Sequence, residues 1–160
     1  MTAHDFTFTA IDGAPLALAD FAGKAVLVVN TASECGFTPQ HAALQELSAA
    51  YGGRGLVVLG VPSNDFGGQE PGDEATIAAF CSARFGVEFP MTEKNSVIGA
   101  DAHPFYRWIA DTLGEDHAPR WNFHKYLIDG TGEVVGAWPS KVVPLSADIT
   151  TAVEDALGAP

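Results

Sequence analysis

Residues 25–61 read AVLVVNTASECGFTPQHAALQELSAAYGGRGLVVLGV, and the fold turns on this stretch. Ala25-Val26-Leu27-Val28-Val29-Asn30 is a continuous run rich in valine, the pattern of a strand covered on both faces. From Pro39 to Tyr51 the period changes. Leu44, Leu47 and Tyr51 stand at helical spacing, Pro39 suits a first helical turn, and Gly52-Gly53 suits a stop. Gly55-Leu56-Val57-Val58-Leu59-Gly60-Val61 is a second buried strand, ended by Pro62. Strand, helix and strand in so short a span form a βαβ unit, with parallel strands and a right-handed crossover.

Working outward, Phe6 to Thr9 and Leu16 to Leu18 flank Asp12-Gly13, which reads as an N-terminal β-hairpin. Downstream of the βαβ unit lies a Gly-rich loop, Gly67 to Gly72. Asp73 is placed to cap a helix carrying Ile77, Phe80 and Cys81. A short helix is expected over Ala102 to Ile109. Lys125 to Ile128 and Glu133 to Gly136, joined by Asp129-Gly130-Thr131-Gly132, predict an antiparallel hairpin. Ser146 to Leu157 predicts a final amphipathic helix, with Ile149, Val153, Ala156 and Leu157 on one face. A βαβ half followed by a β-hairpin and a helix is the thioredoxin-like pattern. The expected fold is therefore α/β: a central mixed sheet flanked by helices, plus the N-terminal β-hairpin. No repeat, low-complexity tract or linker interrupts it, so residues 1–160 are expected to form one domain.

Composition narrows the function. Of 160 residues, 47% are hydrophobic and 18% charged, ordinary for a folded domain that needs no disulfide or metal to hold it together. Eight Lys and Arg against 20 Asp and Glu give a net charge of −12. Such a polyanion repels phosphate backbones and anionic lipid, which argues against nucleic-acid and membrane partners. No apolar run reaches the length of a bilayer span, and Met1-Thr2-Ala3-His4-Asp5 lacks the basic start of a leader, so a cytoplasmic location is expected. His4, His41, His103, His117 and His124 are scattered without metal-ligand spacing beside a cysteine pair, so no metal or cofactor is expected.

Two cysteines remain, Cys35 and Cys81. In a reducing compartment they are either inert core residues or partners in transient redox chemistry. Cys35 lies just past the carboxyl end of the first buried strand and before a helix, where parallel α/β sheets carry their chemistry and where free N–H groups favour a thiolate. Gly36 leaves room for a substrate at the sulfur. A small buried hydrophobe is the alternative reading. Spacing removes some chemistries. The residue three after Cys35 is Thr38, so there is no Cys-x-x-Cys motif. A peroxiredoxin-type centre wants threonine where Ala32 stands, and no histidine is singled out for a papain-like pair.

Three segments, taken together, carry a resemblance. They are Asn30-Thr-Ala-Ser-Glu-Cys-Gly-Phe-Thr-Pro-Gln40, Pro62-Ser-Asn-Asp-Phe-Gly-Gly-Gln-Glu-Pro-Gly72 and Trp121-Asn-Phe-His-Lys-Tyr-Leu127. In this order they resemble the glutathione peroxidase family, in its cysteine-containing branch, over Phe6 to about Leu157. The resemblance implies that Cys35 is the peroxidatic residue and that Gln69, Trp121 and Asn122 complete a catalytic tetrad. These types suit the chemistry: an indole N–H and carboxamides donate to a leaving oxygen without adding a titratable acid. Singly, Trp121 also reads as core, Gln69 as loop surface and Asn122 as a turn cap. Phe80-Cys-Ser-Ala-Arg-Phe-Gly-Val-Glu-Phe-Pro90 resembles the segment that carries a resolving cysteine, which implies that role for Cys81 after local unwinding of its helix.

The sequence departs from the family pattern in places. Ser63 stands where many relatives carry a third cysteine, and Asp65 replaces a common glutamine. The segment from Asp111 to Arg120 is short, so the tetramer of animal members is not expected; a monomer or weak homodimer is. The implied function is reduction of hydrogen peroxide and organic hydroperoxides by Cys35, through a disulfide with Cys81 recycled by thioredoxin. Glutathione as donor, or a peroxide sensor using the same cysteines, is the alternative.

Overall fold

The computed structural model describes residues 1–158. The βαβ unit is present as β3 and β4 once the N-terminal hairpin is numbered. That hairpin pairs β1 (Thr7–Thr9) antiparallel with β2 (Pro15–Ala17). Its turn closes as Asp12 accepts the Ala14 N–H at 3.0 Å and Gly13 takes φ 93°, the left-handed region open to glycine.

β3 (Ala25–Thr31) and β4 (Leu56–Pro62) run parallel in the register Ala25 to Leu56 through Thr31 to Pro62. Between them, α1 (Gln40–Tyr51) crosses over. β5 (Lys125–Ile128) pairs antiparallel with β3, and β6 (Val134–Trp138) antiparallel with β5. The sheet order is β4-β3-β5-β6, the mixed sheet of the thioredoxin-like fold.

Every residue of β3 is buried, as a strand covered on both faces requires. Its alternation divides the core in two. Ala25, Leu27 and Val29 face α1 and α4 (Ala147–Leu157), meeting Leu44, Leu47, Ile149 and Val153. Val26 and Val28 face the opposite way, toward Phe8 of the hairpin and Phe105, Tyr106 and Ile109 of α3 (Pro104–Leu113).

The helix expected over Ala102 to Ile109 is shifted: it starts at Pro104 and continues to Leu113. His103 caps it, its ring Nδ1 accepting the Phe105 N–H at 3.1 Å, and Pro104 fills the first helical position. α2 (Glu74–Phe85) begins at the expected cap, Asp73 accepting the Thr76 N–H at 2.8 Å, and ends on Gly86 at φ 62°. Of its side chains only Ile77 and Cys81 are fully buried. A cavity of about 210 Å³ lies beside Ile77 and Phe80, and one of about 400 Å³ beside Ala78, Cys81 and Ser82. A helix so lightly packed opens locally more readily than the sheet does.

Candidate active site

Cys35 follows β3 by a short loop, at the carboxyl end of the parallel pair. α1 starts five residues later, at Gln40, so the cysteine is joined to the helix through intervening turns rather than placed on its first residue. Those turns are well tied. Thr38 Oγ1 accepts the Cys35 N–H at 2.9 Å and donates to the Ala32 carbonyl at 2.9 Å, while the Thr38 N–H donates to the Cys35 carbonyl at 3.0 Å. The Phe37 N–H points at Cys35 Sγ at 3.3 Å. Cys35 is 8% exposed, and Gly36 beside it has open space where a side chain would stand. The sulfur is thus held in a fixed turn, beside a backbone donor, with open space at the neighbouring Gly36.

The second segment reaches the same place. The Glu34 N–H donates to the Gln69 carbonyl at 3.0 Å, tying the Gly-rich loop to the residue before Cys35. Within that loop the Glu70 N–H donates to Asn64 Oδ1 at 2.9 Å. Gly67 has φ 70°, and a Cβ there would stand 3.1 Å from the Trp121 indole, so both its conformation and its neighbour require glycine.

The third segment closes the site. Asn122 Nδ2 donates to Gln69 Oε1 at 2.9 Å, joining two carboxamides 53 residues apart. Gln69 Oε1 is thereby occupied, which leaves its amide N–H groups for another acceptor. The Trp121 ring lies 5.8 Å from Phe66 and is 37% exposed, while Asn122 is buried. The structure therefore gathers Gln69, Trp121 and Asn122 at the Gly-rich loop, which the Gln69 carbonyl ties to the residue before Cys35. Cys81 stands apart on α2, buried in the same core cluster; both cysteines are free thiols. Burial, then the charge of Glu70, pushes the Cys81 thiol up to about 12.

Several residues that hold this arrangement escaped the sequence reading. Asn30, buried in β3, donates from Nδ2 to the Trp121 carbonyl at 3.0 Å and accepts the Phe123 N–H on its own carbonyl at 2.6 Å. A polar residue ending an apolar strand was the signal. Phe123 has φ 66°, the one non-glycine residue with positive φ among those described. Such a conformation costs on the order of 1–3 kcal/mol and persists only where the surroundings over-determine it. Here the second anchor is Lys125, fully buried, whose Nζ donates to the Phe123 carbonyl at 2.6 Å and to the Ser140 carbonyl at 3.3 Å.

Burial lowers the Lys125 pKa to about 7 from 10.5. The unfolded chain holds this proton up to the higher value, so its burial lowers stability progressively as pH falls from 10.5 to about 7. By 1.36 kcal/mol per pKa unit the effect is on the order of 5 kcal/mol. Lys125→Met should remove that slope. Urea unfolding of both proteins at the two ends of the window measures it; equal slopes would show that the ammonium is solvated.

Asp65 and Ser63 have found structural partners. Asp65 Oδ2 accepts Ser96 Oγ at 3.0 Å and the Val97 N–H at 2.7 Å, so its charge fastens the Gly-rich loop to the segment before α3. Ser63 is buried and its hydroxyl accepts the Asp65 N–H at 3.3 Å. Among the described residues no group of three His, Cys, Asp or Glu side chains is arranged to hold a metal.

Residues 3–110 match the model of the glutathione peroxidase family. The chain belongs to that family. Family membership makes it an oxidoreductase that acts on peroxides. It is 46% identical over 158 residues to hydroperoxy fatty acid reductase gpx1 of Synechocystis, covering 92% of this chain and 94% of that protein. It is also 46% identical to the glutathione peroxidase-like peroxiredoxin GPX5 of Chlamydomonas reinhardtii, covering 89% and 90%. The crystal structure of T. cruzi GPX1 superposes with a TM-score of 0.77 at 31% identity, over 98% of this chain and 97% of that one. For a glutathione peroxidase of this kind, the Cys35 turn and the Gln69–Asn122 bond mark the candidate site.

Proposed function

We propose that one domain carries a complete thiol-peroxidase cycle, with Cys35 as nucleophile. The observation that carries the reading is the Asn122–Gln69 hydrogen bond, with the Gln69 carbonyl tied to the residue before Cys35. The Cys35 thiolate attacks one peroxide oxygen, the O–O bond breaks, and the other oxygen leaves as alkoxide or hydroxide and takes a proton. Cys35 becomes a sulfenic acid. Donors from Gln69, Trp121 and Asn122 stabilise the negative charge on the leaving oxygen. Cys81 then condenses with the sulfenic acid, releasing water and forming a disulfide. A reduced dithiol protein of the thioredoxin type returns both thiols.

The names of the two relatives support organic hydroperoxides as substrates and a peroxiredoxin-like cycle. A second thiol within the chain favours a protein dithiol over glutathione. Reliance on such a donor fits a reducing cytoplasm, and a single copy holds every residue invoked, so the working form is a monomer or weak homodimer.

Steady-state peroxide consumption with thioredoxin or glutathione as sole reductant tests the reading. Turnover with thioredoxin is expected; turnover with glutathione alone would replace the donor, and none with either would remove the enzyme assignment. Trp121→Phe and Gln69→Ala should each slow Cys35 oxidation by about 10²–10³, the usual cost of losing one preorganised donor. Disulfide reduction should be nearly untouched. Stopped-flow oxidation by hydrogen peroxide separates the two steps, and wild-type oxidation rates in both variants would dissolve the tetrad.

A further inference from the structure

We propose that His41 is the base that takes the thiol proton of Cys81 when Cys81 resolves the Cys35 sulfenic acid. The inference rests on the resolving role proposed above for Cys81. His41 stands in the first turn of α1 and is fully buried. Its Nδ1 lies 2.8 Å from the Thr38 carbonyl oxygen, which only accepts. Nδ1 therefore carries the ring proton, and Nε2 presents its lone pair. That lone pair meets Cys81 Sγ at 3.6 Å. Stacking on Phe85 of α2, with ring centroids 5.3 Å apart, and an edge contact with Phe123 at 5.1 Å hold the imidazole in this orientation.

The surroundings keep the ring in the neutral form that has a lone pair to offer. α2 supplies Cys81 and Phe85, and the segment before β5 supplies Phe123, whose carbonyl is occupied by Lys125 Nζ. Glu70 bears on the pair through its charge on Cys81. Burial keeps the His41 pKa below its ordinary value, so the ring is neutral at pH 7 and free to accept. A thiol as weakly acidic as Cys81 supplies almost no thiolate by itself, and the thiolate is the nucleophile.

Position completes the argument. Thr38, which holds the imidazole, also holds Cys35 through its hydroxyl. The base is thus fixed to the turn of the oxidised sulfur, while Cys81 rides on the helix that must open. The Cys81 proton passes to Nε2 and the Cys81 sulfur attacks the Cys35 sulfur. The S–O bond breaks, and the departing hydroxide takes the proton from His41 and leaves as water. Peroxide has already supplied the oxidising equivalents, so no further reactant enters.

The test uses wild type, His41→Phe and His41→Gln, each treated with one equivalent of hydrogen peroxide. The samples are quenched with an alkylating agent and mapped by mass spectrometry between about pH 5 and 8. Phe keeps the aromatic packing; Gln keeps a polar contact and carries the test if the Phe variant fails to fold. In both, the rate of Cys35–Cys81 disulfide formation relative to Cys35 oxidation should fall by about 10². The inflection that His41 gives to that step below its ordinary pKa should vanish. An unchanged ratio with an unchanged pH profile would make His41 a packing residue and overturn the proposal. No Cys35–Cys81 disulfide in wild type would instead overturn the resolving role beneath it.

Discussion

Cys35→Ser abolishes peroxide turnover and leaves the fold in place: this is the largest effect expected of any substitution in the chain. The nucleophile toward the O–O bond is an anionic sulfur, and a serine hydroxyl at neutral pH is neither anionic nor polarisable. Removing an enzyme's nucleophile can cost on the order of 10⁶ in rate, here down to background. The structure gives the variant no reason to unfold. Serine is smaller, the site has open space at Gly36, and the Phe37 N–H that points at Sγ finds an oxygen in its place. The Thr38 bonds to the Cys35 backbone do not involve the side chain at all. Peroxide consumption with thioredoxin, alongside thermal unfolding followed by circular dichroism, reads both halves. Turnover near wild type would move the chemistry elsewhere; a collapsed melting transition would make Cys35 a core residue first.

The fold was legible because its central strands, β3, β4 and β5, are buried on both faces almost throughout. A continuous run such as Ala25 to Val29 has no helical competitor of that length, and its turns at Asp12-Gly13 and Asp129-Gly130 are punctuated by residues that take turn conformations. The boundaries of α3 were not. The sequence reading began the helix at Ala102, but proline restricts the residue before it to extended backbone, so His103 caps the helix and Pro104 opens it.

In the site, motif order pointed to Cys35, Gln69, Trp121 and Asn122, and the structure gathers their segments. What sequence spacing did not contain is the contact between Gln69 and Asn122, since a long-range hydrogen bond leaves no periodic trace. Nor did it contain the left-handed backbone of Phe123, a conformation no phenylalanine adopts unaided. His41 left a trace that went unread. It precedes Leu44 by one helical turn and shares the buried face of α1, where an imidazole needs a partner. That partner is Cys81, from a different helix.

Cys81→Ser should react once with peroxide and then stop. The first step needs no second thiol, so a single equivalent is consumed at close to the wild-type rate. The second step needs a sulfur nucleophile, and a serine hydroxyl does not capture a sulfenic acid. Without Cys81 the intermediate persists, and further peroxide carries Cys35 to the sulfinic acid, which thioredoxin does not reduce. Multiple turnover should therefore fall to background while the burst survives, a split that no general loss of folding produces. The packing of α2 bears on the same outcome. Cys81 is buried with its thiol on His41, so the wild-type disulfide is expected to need the turn around Cys81 to open, with α-carbons brought within about 7 Å. The cavities on either side of α2 and its sparse burial make that opening accessible. Amide hydrogen exchange should accordingly show faster exchange over residues 78–85 in the oxidised than in the reduced protein. Peptide mapping after one equivalent of peroxide decides the matter: a Cys35–Cys81 linkage in wild type and a Cys35 sulfenic acid in the variant are expected. Sustained thioredoxin-dependent turnover by Cys81→Ser would return Cys81 to the core and leave resolution to a thiol from outside the chain.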